Sequence, residues 1–210
     1  MTTTNASSVS GFNIGKSLPR LEARDKVTGR AEYTHHLRLP GMLYGKIFRS
    51  TCPHGRIKRI DTSAASALEG VFKVVTIDDI RKVIPNPYYG PAFHDQPILA
   101  HEKVRHIGEP VAVVVADSRY IAEDACDLIE VEYEPLPAVF TIEDAEKPGA
   151  PSIHDNGLDG NLVVPPMLFK RGDIEKGFAE ADLVIEGWYE WGRPVPAYME
   201  PNVCVTQWDG

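Results

Sequence analysis

The sequence predicts an α+β fold, and three observations carry that expectation. Short runs rich in β-branched and aromatic residues alternate with a short helical pattern between Met42 and Thr76, giving a strand–helix–strand rhythm. The run Val111–Ala116 (VAVVVA) is continuously apolar, as a strand buried on both faces would be. From Ile121 to Tyr133 the apolar spacing passes from helical to alternating.

In chain order, Met42–Arg49 reads as the first strand and Arg56–Ile60 as the second. Ser63–Leu68 is Ala-rich and fits a short helix ending near Gly70, and Val71–Thr76 is the third strand. Asp78 and Asp79 begin another short helix. Ile84–Asp95 holds Pro85, Pro87, Gly90 and Pro91, a density of breakers that predicts a loop. A strand is expected around Lys103–Ile107. The turn Gly108-Glu109-Pro110 then leads into the buried run, where Pro110 can sit first without losing an interior ladder bond.

Asp117 is placed to cap the next helix, whose apolar positions are Ile121, Ala122, Ala125, Cys126, Leu128 and Ile129. A strand at Ile129–Tyr133 is ended by Pro135 and Pro137, and Glu143–Glu146 makes a short helix. Pro148–Pro166, rich in Gly, Pro, Asn and Asp, reads as a linker. Asp173 starts a helix with Phe178 and Ala181 on one face. Leu183–Trp191 alternates like a long strand, and Asn202–Trp208 begins another. A last strand with no partner after it suggests that the fold continues in another chain or in further sequence.

The composition bounds the function. The 210 residues are 43% hydrophobic, enough for a sizeable core, and the net charge of −8 disfavours a nucleic-acid or anionic-membrane surface as the main partner. No apolar run approaches the ~20 residues of a membrane span. The tail 1–14 is small and polar at its start and lacks the order of a signal peptide, so the cytoplasm is the expected location. Cys52, Cys126 and Cys204 form no C-x-x-C pair and suit packing in a reducing compartment. They are too few to hold an iron–sulfur cluster, which normally takes about four cysteine ligands.

Familiar catalytic signatures are missing. There is no phosphate-binding Gly-rich loop and no G-x-S-x-G elbow. His35 and His36 are adjacent, a poor chelate on a strand because neighbours point to opposite faces. His101 and His106 fall near one strand's start, but a zinc site there would need further ligands. Glu123, Asp124, Asp127 and Glu130 occupy the outer helix face, a solvated position. Glu200, in Met199-Glu200-Pro201, suits a capping or interface role.

An ordered set of short motifs adds a family resemblance. Leu18-Pro19-Arg20 and Asp25 through Thr34 (DKVTGRAEYT) resemble the opening of molybdenum hydroxylase large subunits, the xanthine dehydrogenase and aldehyde oxidase family. Pro40 through Gly45, Arg49-Ser50, His54 through Ile57, Asp61 and Gly70-Val71 are similar to the next segments of that family. Gln96 through Ala100, Val104, Gly108 through Ala112, Ala116-Asp117, Ala122, Ala125, Val131–Tyr133 and Leu136-Pro137 continue in register. Gly172-Asp173 with Phe178, Ala181 and Asp182 resembles the family's connection toward the molybdenum-binding region. The likeness runs from about Gly15 to the end.

The resemblance implies an a/b hammerhead domain over 15–148, a linker over 149–166, and the first elements of a molybdopterin-binding domain over 167–210. It implies an N-terminal fragment or split subunit of an oxidoreductase that hydroxylates aldehydes or aromatic N-heterocycles with water. The complete enzyme would carry a molybdopterin-type molybdenum cofactor, with [2Fe–2S] clusters and FAD on partner domains or subunits. This chain would shape the substrate channel and hold subunits together, without catalysis of its own. The loop Tyr89–His94 would lie near the substrate funnel, with Ala92 and Phe93 lining its entrance. No catalytic, cofactor-binding or metal-ligating residue is carried over.

Two positions depart from the family pattern. His36 stands where an aspartate is common, and Pro196 stands where a histidine often precedes the Met-Glu pair, which removes the ground for assigning that segment a role. A stand-alone, non-catalytic interaction or ligand-binding module with the same fold is the competing reading. A complete small enzyme would require a convergent constellation, and none is found in the sequence.

Overall fold

The computed structural model describes residues 15–90, 94–155, 161–162, 164, 167–192 and 194–209. They fall into two units, one made of Met1–Pro40 with Gly187–Gly210 and the other of Gly41–Glu186.

The first unit holds helix α1 (Ala23–Val27) and a single 3-10 turn, Thr34–His36. Gly29 ends α1 in the left-handed region at φ 70°, which glycine reaches without a Cβ penalty. The chain then doubles back, and the N–H groups of Arg30 and Ala31 both donate to the Asp25 carbonyl, at 2.8 and 3.0 Å. His35 and His36 therefore lie on a turn, not on a strand, with ring centroids 4.1 Å apart in an edge-to-face pair.

The second unit is built on antiparallel strands. β1 (Tyr44–Arg49), β2 (Gly55–Asp61), helix α2 (Ser63–Ala67), β3 (Val71–Val75) and helix α3 (Ile77–Val83) come first. β4 (Tyr88–Tyr89), β5 (Gln96–Pro97), β6 (Lys103–Val104), β7 (Pro110–Ala116), helix α4 (Arg119–Asp127), β8 (Glu130–Pro135) and helix α5 (Ile142–Glu146) follow, then helix α6 (Ile174–Glu180). One sheet has the order β1-β7-β3, a second β6-β2-β8, and β4 with β5 form a short hairpin.

β7 is central because it is the most apolar strand. Ala112, Val114 and Ala116 are fully buried under α2 and α4, against Ala65, Ala122, Ala125 and Cys126. Small residues on both sides let helix and sheet approach closely. Burial on both faces is only partly realised, since Val113 and Val115 on the opposite face are half-buried. Val111 joins Ala100 and Val104 in a second cluster, and Phe48, Ile60 and Val131 pack against both clusters. These shared residues make the two sheets one core.

Several local expectations meet the structure directly. Pro110 is the first residue of β7 and pairs with Arg49 at a bulge, where its missing N–H costs no interior bond. Thr76 and Asp79 close a reciprocal capping box at the start of α3, so the two aspartates there do begin a helix.

Other expectations are corrected. The cap of α4 is Ser118, whose hydroxyl accepts from the Ile121 N–H at 3.2 Å, and not Asp117. Asp117 is still tied to the sheet side, its N–H donating to the Gly70 carbonyl at 2.9 Å. The loop 84–95 carries β4 within it, and the strand expected over 103–107 is only Lys103–Val104. Leu183–Trp191 and Asn202–Trp208 form no strand, because no neighbouring strand among the described residues supplies a ladder. Apart from half-buried Val205, every described residue from 167 to 209 is exposed, Phe178 of α6 included.

Described residues of the 149–166 segment bond back to residues that precede it. Asn161 accepts from the Ile153 N–H at 3.0 Å and donates to the carbonyls of Ala145 and Pro151 at 3.3 and 3.2 Å. Lys103 Nζ lies 2.9 Å from Asp155. Among the described residues no helix is long and apolar enough to cross a membrane.

Candidate functional site

The loop singled out by sequence is bracketed by β4 and β5. Tyr88 pairs with Pro97 and Tyr89 with Gln96, and below the ladder the Ile98 N–H donates to the Pro87 carbonyl at 2.8 Å. Ala92 and Phe93 lie outside the described residues. Tyr89 at the hairpin is half exposed, whereas Pro97, Leu99 and Ala100 are buried and anchor the return strand. Ala100 N–H reaches the Pro110 carbonyl at 2.7 Å, fixing the hairpin's exit to the start of β7.

Below the hairpin lies a set of buried polar groups that sequence reasoning did not single out. His101 is buried between Tyr88 and Arg81: Tyr88 Oη is 2.7 Å from Nε2 and Arg81 Nη2 is 3.1 Å from Nδ1. Burial and then the Arg81 charge push its pKa below the ordinary histidine value. Glu102 beside it adopts a left-handed φ of 61°, and its carbonyl accepts from the Ile57 N–H at 2.8 Å. Glu109, also buried, accepts from the Arg105 N–H and side chain. Ser50, buried opposite, exchanges backbone bonds with this turn, donating to the Glu109 carbonyl at 2.9 Å and accepting from Gly108 N–H at 2.7 Å.

His106 is exposed, so it makes no site with His101. His54 is buried, with Nδ1 2.6 Å from the Pro137 carbonyl. Cys52, Cys126 and Cys204 are free thiols, and burial pushes Cys126 upward, away from the thiolate a nucleophile needs. Glu200 lines a cleft with Glu22, Asp25, Lys26, Arg30 and Tyr33 of the first unit. Among the described residues no group of three His, Cys, Asp or Glu side chains is placed to hold a metal ion.

The carboxylates whose acidity departs from the ordinary range all move downward. Hydrogen bonds from Ser63 lower Asp61, Thr76 lowers Asp79, and lysines 46, 58, 147 and 103 lower Glu123, Glu134, Asp144 and Asp155. A general acid at neutral pH needs the opposite shift. These groups act as caps and ion-pair partners.

The comparisons with known proteins agree with this organisation. Residues 28–137 match the family model described as "Aldehyde oxidase and xanthine dehydrogenase, a/b hammerhead domain", and residues 153–210 match the "Molybdopterin cofactor-binding domain". The class defined by fold and sequence is thus a hammerhead domain followed by the beginning of a molybdopterin-binding domain. The chain belongs to the aldehyde oxidase and xanthine dehydrogenase family of molybdenum hydroxylase large subunits.

It is 40% identical over 193 residues to a probable xanthine dehydrogenase subunit of Bacillus subtilis, covering 91% of this chain and 25% of that protein. It is 34% identical over 196 residues to the nicotinate dehydrogenase large molybdopterin subunit of Eubacterium barkeri, covering 93% of this chain and 44% of that one. The solved structure of quinoline 2-oxidoreductase from Pseudomonas putida 86 superposes with a TM-score of 0.65 at 42% identity, over 74% of this chain and 20% of that chain. The chain therefore spans from a quarter to under half of these curated relatives.

Proposed function

We propose that this chain forms the N-terminal part of the large subunit of a molybdenum hydroxylase, with the hammerhead domain over 15–148 and the molybdopterin-binding region following the 149–166 linker. The complete enzyme oxidises an aldehyde or a ring carbon of an aromatic N-heterocycle. Water supplies the oxygen, and two electrons and two protons leave for each C–H bond converted to C–OH. The electrons pass to [2Fe–2S] clusters and then to FAD on partner domains or subunits in the cytoplasm. What supports this reading is the order of the two family matches, a hammerhead domain over residues 28–137 followed by a cofactor-binding domain over residues 153–210.

The molybdenum cofactor, when bound, supplies the two-electron redox centre. The described residues of 167–209 do not fit it by themselves, because they offer no buried polar cradle and no metal-ligating cluster. This chain's own contribution is positional: Ala92 and Phe93 line the entrance of the substrate channel.

The test is a tagged pull-down from the native host with molybdenum and iron measured in the eluate. Co-purification of a molybdopterin-binding polypeptide with both metals is the expected result. A metal-free monomer that recruits no such polypeptide would overturn the split-subunit assignment.

A further inference from the structure

Arg56 of β2 stands directly opposite Lys103 of β6, so two cations lie side by side on one face of the sheet. Like charges in that register repel unless an anion lies between them. Both side chains line a cleft of about 290 Å³ walled by Pro151 and Asp155. Lys103 is only 8% exposed, and a lysine that far from water needs a partner. Its Nζ lies 2.9 Å from Asp155, whose side chain is itself 74% exposed. Arg56 has no ion pair among the described residues, and Glu134, its neighbour on the other side, is held by Lys58 at 2.5 Å. His54 lines the same cleft and is 3% exposed. Its Nδ1 lies 2.6 Å from the Pro137 carbonyl, which only accepts, so the ring proton sits on Nδ1 and Nε2 carries a lone pair. That Nε2 is buried with no partner, and a buried acceptor without a donor is costly.

We propose that the cleft between β2, β6 and residues 151–155 binds a small oxyanion that still carries a proton, of the hydrogen phosphate kind: its charged oxygens bridge Arg56 and Lys103, and its O–H donates to His54 Nε2.

The carboxylates at the cleft set the competition. Glu102 lines it, but its side chain is 78% exposed and so is screened by water. Asp155 is the stronger competitor, because it already holds Lys103. An ammonium has three N–H groups, so Lys103 can keep Asp155 and still donate to a ligand. Sulfate matches hydrogen phosphate in shape and charge but has no proton near neutral pH. It would set an oxygen lone pair against that of Nε2, so the cleft prefers phosphate to sulfate.

The site needs no cofactor, so the full 210-residue chain serves for the test. Inorganic phosphate is titrated by calorimetry at neutral pH and constant ionic strength, with sulfate in a parallel titration. Saturable one-to-one binding is expected, with sulfate weaker by about tenfold, the worth of one hydrogen bond. Arg56→Gln keeps an exposed polar side chain and so keeps the fold, and it should weaken phosphate by about tenfold or more. Asp155→Asn removes the competing carboxylate and leaves buried Lys103 without its counter-ion. Phosphate should then bind more tightly and raise the melting temperature more than in the parent. A phosphate monoester separates two sources of the same chemistry: tighter binding than the inorganic ion assigns a terminal phosphate group, and weaker binding assigns the free ion.

The His54 ring, followed by ¹⁵N NMR in the same titration, reports where the ion sits. A shift of the bare Nε2 on adding phosphate supports the site, and an unmoved Nε2 rejects it. Absence of saturable binding up to about 10 mM phosphate would overturn the proposal. So would equal affinities for phosphate and sulfate, or an affinity unchanged in Arg56→Gln, the mark of an adventitious ion only. If Asp155→Asn does not fold without phosphate, refolding by phosphate supports the site, and refolding by sulfate equally well rejects it.

Discussion

Arg105 Nη1 lies 3.3 Å from Glu109 Oε1, and both side chains are nearly withdrawn from water, 11% and 5% exposed. The same carboxylate also accepts the Arg105 backbone N–H, closing the turn that carries the chain into β7. A surface pair such as Lys46–Glu123, 46% and 59% exposed, has none of this enclosure. Glu109→Ala strands a buried guanidinium and should cost about 3–5 kcal/mol. Glu123→Ala, at a solvated surface pair, should change stability little. Urea unfolding of the two variants measures the contrast, and equal losses would show that burial does not govern the Arg105–Glu109 pair.

A second expectation concerns Gly55 in β2. A Cβ there would sit 2.8 Å from Cys52 Sγ and 3.1 Å from the Glu134 carbonyl. The carbonyl belongs to the β8 ladder and cannot withdraw freely, so Gly55→Ala should destabilise by about 1–3 kcal/mol. Adding Cys52→Ala removes the sulfur contact and should recover part of the loss. Thermal melts of the single and double variants are the check, and no recovery would place the strain on the backbone alone.

Glu102 holds a left-handed backbone that side chains other than glycine rarely adopt. Glu102→Gly should therefore be neutral or stabilising, although glycine within a regular element costs roughly 0.5–1 kcal/mol. The comparison is Phe72→Gly in β3, an exposed strand position that should lose stability. A lowered Tm for Glu102→Gly would mean that its side chain matters more than its backbone.

Asp79 gives a pH dependence with a definite sign. The Thr76 N–H, then Lys73 and Lys82, hold its carboxyl below the ordinary 3.8. Its contribution to stability is complete above that ordinary value and is lost as pH falls through the lower, folded one. Asp79→Asn should be less stable than the parent at pH near 7, and the gap should narrow on acidification below about 4. Unfolding midpoints across that range decide it; a gap that widens in acid would reverse the assignment.

In the complete enzyme, Phe93→Ala should change KM for bulky substrates by about tenfold while leaving molybdenum content unaltered. Unchanged KM across substrate sizes would remove Phe93 from the proposed channel entrance.

Much of the hammerhead was legible because its signals are local. The unbroken apolar run of β7 marked the central strand, and the small residues Ala122, Ala125 and Cys126 at helical spacing marked the face of α4 laid against it. The turn read at Gly108-Glu109-Pro110 does place its glycine at a positive φ, 89°. The segments Leu183–Trp191 and Asn202–Trp208 alternate as strands do, yet alternation states only that one face wants cover. A ladder also needs a neighbour, and sequence periodicity cannot supply one. Ala92 and Phe93 came from family resemblance, and they lie outside the described residues.

The sequence by itself determined the family, the strand–helix–strand order from β1 to β3 and the run β7–α4–β8, because each signal depends on residues close along the chain. Only the tertiary structure decided that Glu109, His101 and Ser50 are buried and whom they bond. Their partners come from elements far apart in sequence, Arg81 with His101 and Ser50 with Glu109. Burial, which turns an ordinary histidine or glutamate into a constrained one, is a property of the packed whole.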